Sequence, residues 1–357
     1  MIYLVPDLLE EICLGLPLKS ILKLKTVSKQ WRSILESTSF AERRMKLQKK
    51  RKILAAGGNR TESKFEGDEE MEMVYLHCHD VTRPWLMTCD GLVCMPVPGC
   101  VNVLNPSTGK SLRFPSGPDP VTANRYVDGH RYGHWSEIFT AYWAMGFGRD
   151  KVNGIYKVVR MFFEPDHYCE ILDVNIGEWR KSSPPPYLVD ARRKSACVNG
   201  SIYWLDVLTF QILALDLHTE EFRDVPFHNL PSRPPSLAIT DQLVNLDDRL
   251  AISTVLFRSW TLAIWTMDAQ EERWSMTYSI RLSGRDLYRQ PSSMNFRPVT
   301  VTKQGNLFFH DNENRLFKYY PKINPLRCIS QDTWVISPFV ENLVPFEHHN
   351  SVPITSG

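Results

Sequence analysis

Along the first 47 residues large apolar side chains recur every three to four positions, and beyond about residue 73 they alternate every two. The first spacing predicts helices and the second predicts half-buried strands. Leu8, Leu9 and Ile12 fall on one side of a helix that Asp7 can cap, with Glu10 and Glu11 off that face; Gly15 and Pro17 end it. Ser20 can cap a second helix, and Ser28 a third in which Trp31, Ile34 and Leu35 share a face. A segment of about 40 residues rarely buries enough surface to be stable unaided, and this one has no disulfide or evident metal ligands. Its oily side must be covered, either by the rest of the chain or by a separate partner, and the pattern leaves both open.

The alternating region is punctuated by Asp90-Gly91, Asn153-Gly154, Asn199-Gly200, Asp247-Asp248 and Gly305-Asn306, each read as a hairpin turn before an apolar strand. A second unit follows, in which a strand, a polar turn and an aromatic or leucine recur. It is found at 102–114, 170–181, 213–225, 263–274 and 316–327. Five copies predict repeated four-stranded blades closing into a toroid. The stretches 73–87 and 332–345 could join as a sixth blade and latch the ring; a β-sandwich is the competing arrangement. Between the two regions, 41–73 passes from a basic helix tail through Gly57-Gly58 to an acidic run, which reads as a helix extension and a flexible tether. The expected divisions are 1–47, a linker over 48–73, a β domain over 74–350 and a tail over 351–357.

Composition adds little to that picture and charge somewhat more. The chain has 357 residues, 43% apolar and 23% charged, enough for one large domain or two unequal ones. A formal net charge of +2 hides a basic front and a mildly acidic body. Lys49, Lys50, Arg51 and Lys52 read as a solvated helix tail, with a nuclear-import tag as the alternative. Without interleaved aromatics nearby, nucleic acid is not an expected partner. The opening MIYLVPDLLEE lacks the marks of a signal peptide, and 250–267 reads as two buried strands rather than a span, so no membrane is expected. The eight cysteines are expected as reduced core thiols. His77, Cys78 and His79 do not make a metal site, because a strand points Cys78 away from both histidines. No nucleophile elbow, phosphate loop or dinucleotide fingerprint is present, and MGFGRDKVNG at 145–154 is flanked by strands. No cofactor, metal or catalytic residue is assigned.

Residues 5–40 resemble an F-box. The likeness lies in Pro6-Asp7-Leu8-Leu9, Glu11-Ile12, the Leu16-Pro17 turn with Lys19-Ser20, and Val27-Ser28-Lys29 followed by Trp31. The family usually places its first proline two residues before the acidic residue, where Val5 stands here. CDGLVC (89–94), NPSTGK (105–110), MGFGRDKVNGIYKVVRM (145–161) and VNGSIYWL (198–205) resemble the kelch-like domains that follow F-boxes in a large plant family. The expected fold is therefore α+β multidomain: a small three-helix F-box, then an all-β kelch-like propeller of about six blades. The resemblance implies a non-catalytic substrate receptor. Its F-box would dock on a Skp-family adaptor through Pro6, Leu9, Ile12, Leu16, Pro17, Val27 and Trp31, and so reach cullin and RING subunits in the nucleus or cytoplasm. The alternative is a propeller with its own ligand or activity, regulated through the F-box. The unidentified protein target is expected at the longest non-repeat segments, through Arg125, Tyr126, His130, Arg131, Tyr132 and Trp135 in one and Arg285, Tyr288 and Arg289 in the other. Tyr, Trp and Arg dominate protein interfaces.

Overall fold

The structure is a computed structural model that describes residues 5–48, 51–57, 65–77, 86–97, 99–115, 143–163, 167–190, 193–206, 211–226, 241–256, 259–282 and 295–345. Four helices open it: α1 (Pro6–Leu14), α2 (Leu18–Leu24), α3 (Lys29–Leu35) and α4 (Thr38–Leu47). Three were expected; the fourth inserts Phe40 and Ala41, both fully buried, into the same small core. α1 begins without an Asp7 cap. Val5 is extended, Pro6 brings its pre-set φ to the first helical position, and Asp7 lies in the first turn, where its charge suits the helix dipole. α2 starts behind Pro17, so Ser20 sits inside it. The Ser28 cap is present: its Oγ accepts from the Trp31 amide at 3.1 Å.

Next come β1 (Arg51–Gly57) and β2 (Met71–His77), then five sheets of four antiparallel strands in chain order. They are β3 to β6 (Met87–Cys89, Leu92–Val97, Cys100–Asn105, Lys110–Pro115) and β7 to β10 (Trp143–Arg149, Tyr156–Phe162, Tyr168–Asp173, Trp179–Ser182). The others are β11 to β14 (Ala196–Val198, Ser201–Asp206, Gln211–Asp216, Phe222–Val225), β15 to β18 (Gln242–Leu246, Arg249–Leu256, Thr261–Met267, Trp274–Arg281) and β19 to β22 (Phe296–Val301, Leu307–Asp311, Leu316–Tyr319, Leu326–Ser330). β23 (Trp334–Phe339) ends the series. Asp90, Asn199, Asp247 and Asp248 all have positive φ, as do Gly91 and Gly200, the conformation that tight hairpins between first and second strands demand. The recurring polar turns join third to fourth strands. Asn105, Asp173, Asp216 and Asp268 each accept an amide hydrogen bond two residues on, at 2.8–2.9 Å. An Asx turn at one blade position accounts for the repeat.

Each sheet shares a hydrophobic core with both neighbours, so the ring is closed and a sandwich is ruled out. MGFGR serves one of these junctions. A Cβ on Gly146 would lie 2.6 Å from the Trp204 ring, and one on Gly148 would lie 2.6 Å from Leu217. The glycines let Trp204, fully buried, donate its indole N–H to the Met145 carbonyl at 2.9 Å.

The sixth sheet overturns the tether expected over 48–73. Its order is β2-β1-β23, with β1 parallel to β2 and antiparallel to β23. Ile53 and Ala55 face one neighbouring blade while Leu54 and Ala56 face the other, so this strand is buried on both sides and its apolar run is continuous rather than alternating. Lys52 belongs to no solvated tail either: its ammonium pairs with Glu341 at 2.8 Å and Glu72 at 3.2 Å. Residues 332–345 do supply the strand that closes the ring, as expected, but 73–87 gives β2 only in part. A fragment beginning at Arg51 is therefore expected to melt cooperatively, whereas one beginning at Met71 lacks the strand between β2 and β23 and is expected to aggregate. Equal cooperativity of the two in a thermal scan would contradict this account of closure.

Strand direction sorts the loops onto two rims. In the five four-stranded blades, first-to-second and third-to-fourth turns share one rim; second-to-third turns and the connectors between blades share the other. The helices sit on the first rim. After β23 the chain turns beneath them, and Leu343 and Val344 enter the core built by Leu9, Cys13, Leu14, Ile21, Leu35 and Phe40. Asn342, fully buried, donates to the Asp90 carbonyl at 2.7 Å and to the Tyr156 hydroxyl at 2.9 Å, and its own carbonyl accepts from Asn105 at 3.0 Å. Arg149 reaches Glu42 of α4 at 2.7 Å. Part of the helical domain's oily side is thus covered by the end of its own chain.

Candidate functional site

What α1 turns inward and outward is decided by one residue of offset. Leu9 and Cys13, four apart, are buried with Leu14. Leu8 and Ile12, four apart, form the neighbouring stripe about 100° round the helix; they and Val5, at the extended N-cap, are 52%, 49% and 58% exposed. Leu8 and Leu9 do not share the face first assigned to them, because consecutive helical positions diverge by about 100°. Val27, in the turn between α2 and α3, is 60% exposed. Pro6 and Pro17 are also exposed, while Leu16 and Trp31 are half-buried at the edge of the core. Of the seven adaptor-binding positions read from the sequence, Leu9 alone is interior, so its part is packing. Val5 and Leu8 were not on that list, although their spacing to Ile12 carried the signal. Glu10 and Glu11 both accept from Arg43, which pins α4 to α1 beside this stripe.

Beneath, Arg44 lies almost fully buried and donates to the Leu14 and Leu16 carbonyls at 3.2 and 2.9 Å. It also meets Glu341 at 2.7 Å, and Glu341 meets Lys52 as well. Burial works against ionisation of Glu341, yet the hydrogen bonds from Lys52 and Arg44 hold its carboxyl below the usual range. One carboxylate therefore ties α4 to β1.

A second feature is the channel, a cavity of about 240 Å³ lined by the innermost strands. Asp90, Asp247 and Asp248 stand at its helix-side end, Lys194, Arg297 and His310 towards the other. No acid–base pair is assembled: His310 Nδ1 donates to the Asp311 carbonyl at 3.1 Å. The Cys89 and Cys197 sulfurs are 3.9 Å apart, and that contact together with burial raises the Cys89 thiol well above its usual range, away from nucleophilic thiolate. Among the described residues no cluster of three metal-ligating side chains occurs, and no helix is long and apolar enough to cross a membrane. Of the His77-Cys78-His79 run only His77 is described. Arg125, Tyr126, His130, Arg131, Tyr132, Trp135, Arg285, Tyr288 and Arg289 all lie outside the described residues.

Residues 3–43 match the F-box domain family, and residues 58–332 match the F-box associated beta propeller domain family. This chain is an F-box protein. It is 52% identical to an F-box/LRR-repeat protein of Arabidopsis thaliana over 98% of this chain and 84% of the relative. An F-box/kelch-repeat protein of the same plant is 50% identical over 96% of this chain and 84% of its own length. A third Arabidopsis F-box protein is 48% identical over 96% and 85%. F-box proteins are generally non-catalytic adaptors, and an F-box joined to this propeller supports a substrate-recognition role in SCF-type ubiquitin ligases.

Proposed function

We propose that this F-box protein docks on a Skp-family adaptor through the stripe Val5, Leu8 and Ile12, flanked by Pro6, Pro17 and Val27, and so joins cullin and RING subunits. One observation carries the reading. Four large apolar side chains stay about half exposed or more on a small helical domain whose other side is already covered. Such patches are costly to leave in water and mark protein interfaces. The propeller acts as a non-catalytic holder of the target, in the nucleus or cytoplasm. The two segments expected to bind the target depart from β6, which ends at Pro115, and from β18, which ends at Arg281. Both ends face the rim away from the helices, which supports a shared basic, aromatic patch for an acidic protein. Co-expression with a Skp-family adaptor is expected to give a stable complex on size exclusion. Arg131→Glu combined with Arg285→Glu is expected to stabilise the target in cells while leaving that complex intact. Elution of the two proteins apart, or degradation indifferent to the charge reversals, would overturn the corresponding half of the reading.

A further inference from the structure

At the channel mouth on the rim away from the helices, three basic side chains converge. Lys194 precedes β11, Arg297 lies in β19, and His310 lies in β20 directly across the ladder from Arg297. Opposed Cβ atoms in such a pair stand about 5 Å apart, and like charges there are destabilising. Burial, and then the neighbouring Arg297, brings Lys194 down to about 7; burial brings Arg297 to about 10. Burial comes first for His310 too, brought down to about 3 with Lys194 and Arg297 both opposing its protonation.

Among the described residues no carboxylate offsets these groups. Asp190 accepts from Arg193 at 3.0 Å, and Arg193 also donates to the backbone carbonyl of Asp241. Asp311 is committed to Arg315 at 2.7 Å. Arg297 has a neutral partner, Gln242 Oε1, at 3.3 Å. Elsewhere this chain neutralises its enclosed cations with care. Arg44 and Lys52 share Glu341, Lys157 meets Glu220, Arg160 meets Glu170, and Lys318 meets Asp68 and Glu70. Among the described residues this end of the channel is left positive, with no carboxylate to balance it.

We propose that the channel mouth binds a small phosphate-class oxyanion, held by the Lys194 ammonium and the Arg297 guanidinium, with Gln242 setting the guanidinium plane. A guanidinium fork and an ammonium together suit a tetrahedral oxyanion. The channel has room for a phosphate-sized ion with its hydration. This assignment stands without the adaptor reading, and the bound anion would cancel the positive charge at the centre of the rim proposed for the target.

The test titrates inorganic phosphate into the full chain by calorimetry, alongside thermal scans against chloride at equal ionic strength. One saturable site is expected, with a rise of a few degrees in Tm near tenfold saturation. Lys194→Met and Arg297→Met should each abolish the heat. Lys194→Met should also raise the Tm of the phosphate-free protein, because it removes a repelled charge; a purely structural lysine would lower it. Absence of saturable heat in the parent, unchanged binding in both variants, or a lower Tm for Lys194→Met would overturn the proposal. So would binding of a phosphoserine peptide in the absence of any response to free phosphate.

Discussion

Replacing Leu8 and Ile12 by aspartate is expected to weaken adaptor capture on the order of a hundredfold or more while leaving the melting temperature almost unchanged. Central apolar anchors of an interface cost about 2 kcal/mol or more each when lost, and a charge in their place adds desolvation. Exposed positions of this kind shift stability by only about 0.5 kcal/mol. Leu9→Ala is the contrasting control. It empties part of the shared core with Leu343 and Val344, where losing a leucine costs about 2–5 kcal/mol, so it should lower Tm and affect capture only through folding. Pull-down paired with thermal scans of all three proteins separates the two effects. Undiminished capture by the double aspartate variant would move the docking face elsewhere.

The second large effect concerns Glu341. Alanine there leaves Arg44, with its side chain only 7% exposed, without its carboxylate partner, and leaves Lys52, 15% exposed, with only the more distant Glu72 at 3.2 Å. Breaking a buried ion pair from one side costs about 3–5 kcal/mol, so a fall in Tm of several degrees is expected. It should come with faster hydrogen exchange in α1 and α4 while the blades stay protected. Exchange quickened in the blades alone would show that the carboxylate does not join the two parts. Acid should imitate the substitution. The Glu341 carboxyl lies below its ordinary value in the folded protein, so the unfolded chain takes up the proton first. Its stabilisation is complete above the unfolded pKa of about 4.5 and fades as the pH falls through the folded one.

Much of the ring was legible because its signals are local. Asp90-Gly91, Asn199-Gly200 and Asp247-Asp248 need positive φ wherever they stand, and an Asx turn announces itself within three residues. β1 was missed because its run of Ile53, Leu54, Ala55 and Ala56 lacks alternation, a consequence of burial on both faces that only the closed ring reveals. The outward stripe of α1 was half legible: the spacing of Leu8 and Ile12 was plain, but which stripe faces out depends on the packing of α1 against Ile21, Leu35 and Phe40, with Leu343 and Val344 added from some 300 residues downstream. Lys194 and Arg297 are 103 residues apart in the chain, and only blade geometry brings their charges together.

That distant cover also has a consequence in time. On the ribosome the F-box helices emerge some 300 residues before Leu343 and Val344, at synthesis rates of about 5–20 residues per second. For roughly 15–60 s the helical core lacks two of its walls and the ring lacks β23. A chain halted early would present an unfinished docking face and no closed target rim, so the complete receptor is available for assembly only once its final strand has been made. Nascent chains stalled before residue 340 should accordingly recruit adaptor far less than released full-length protein.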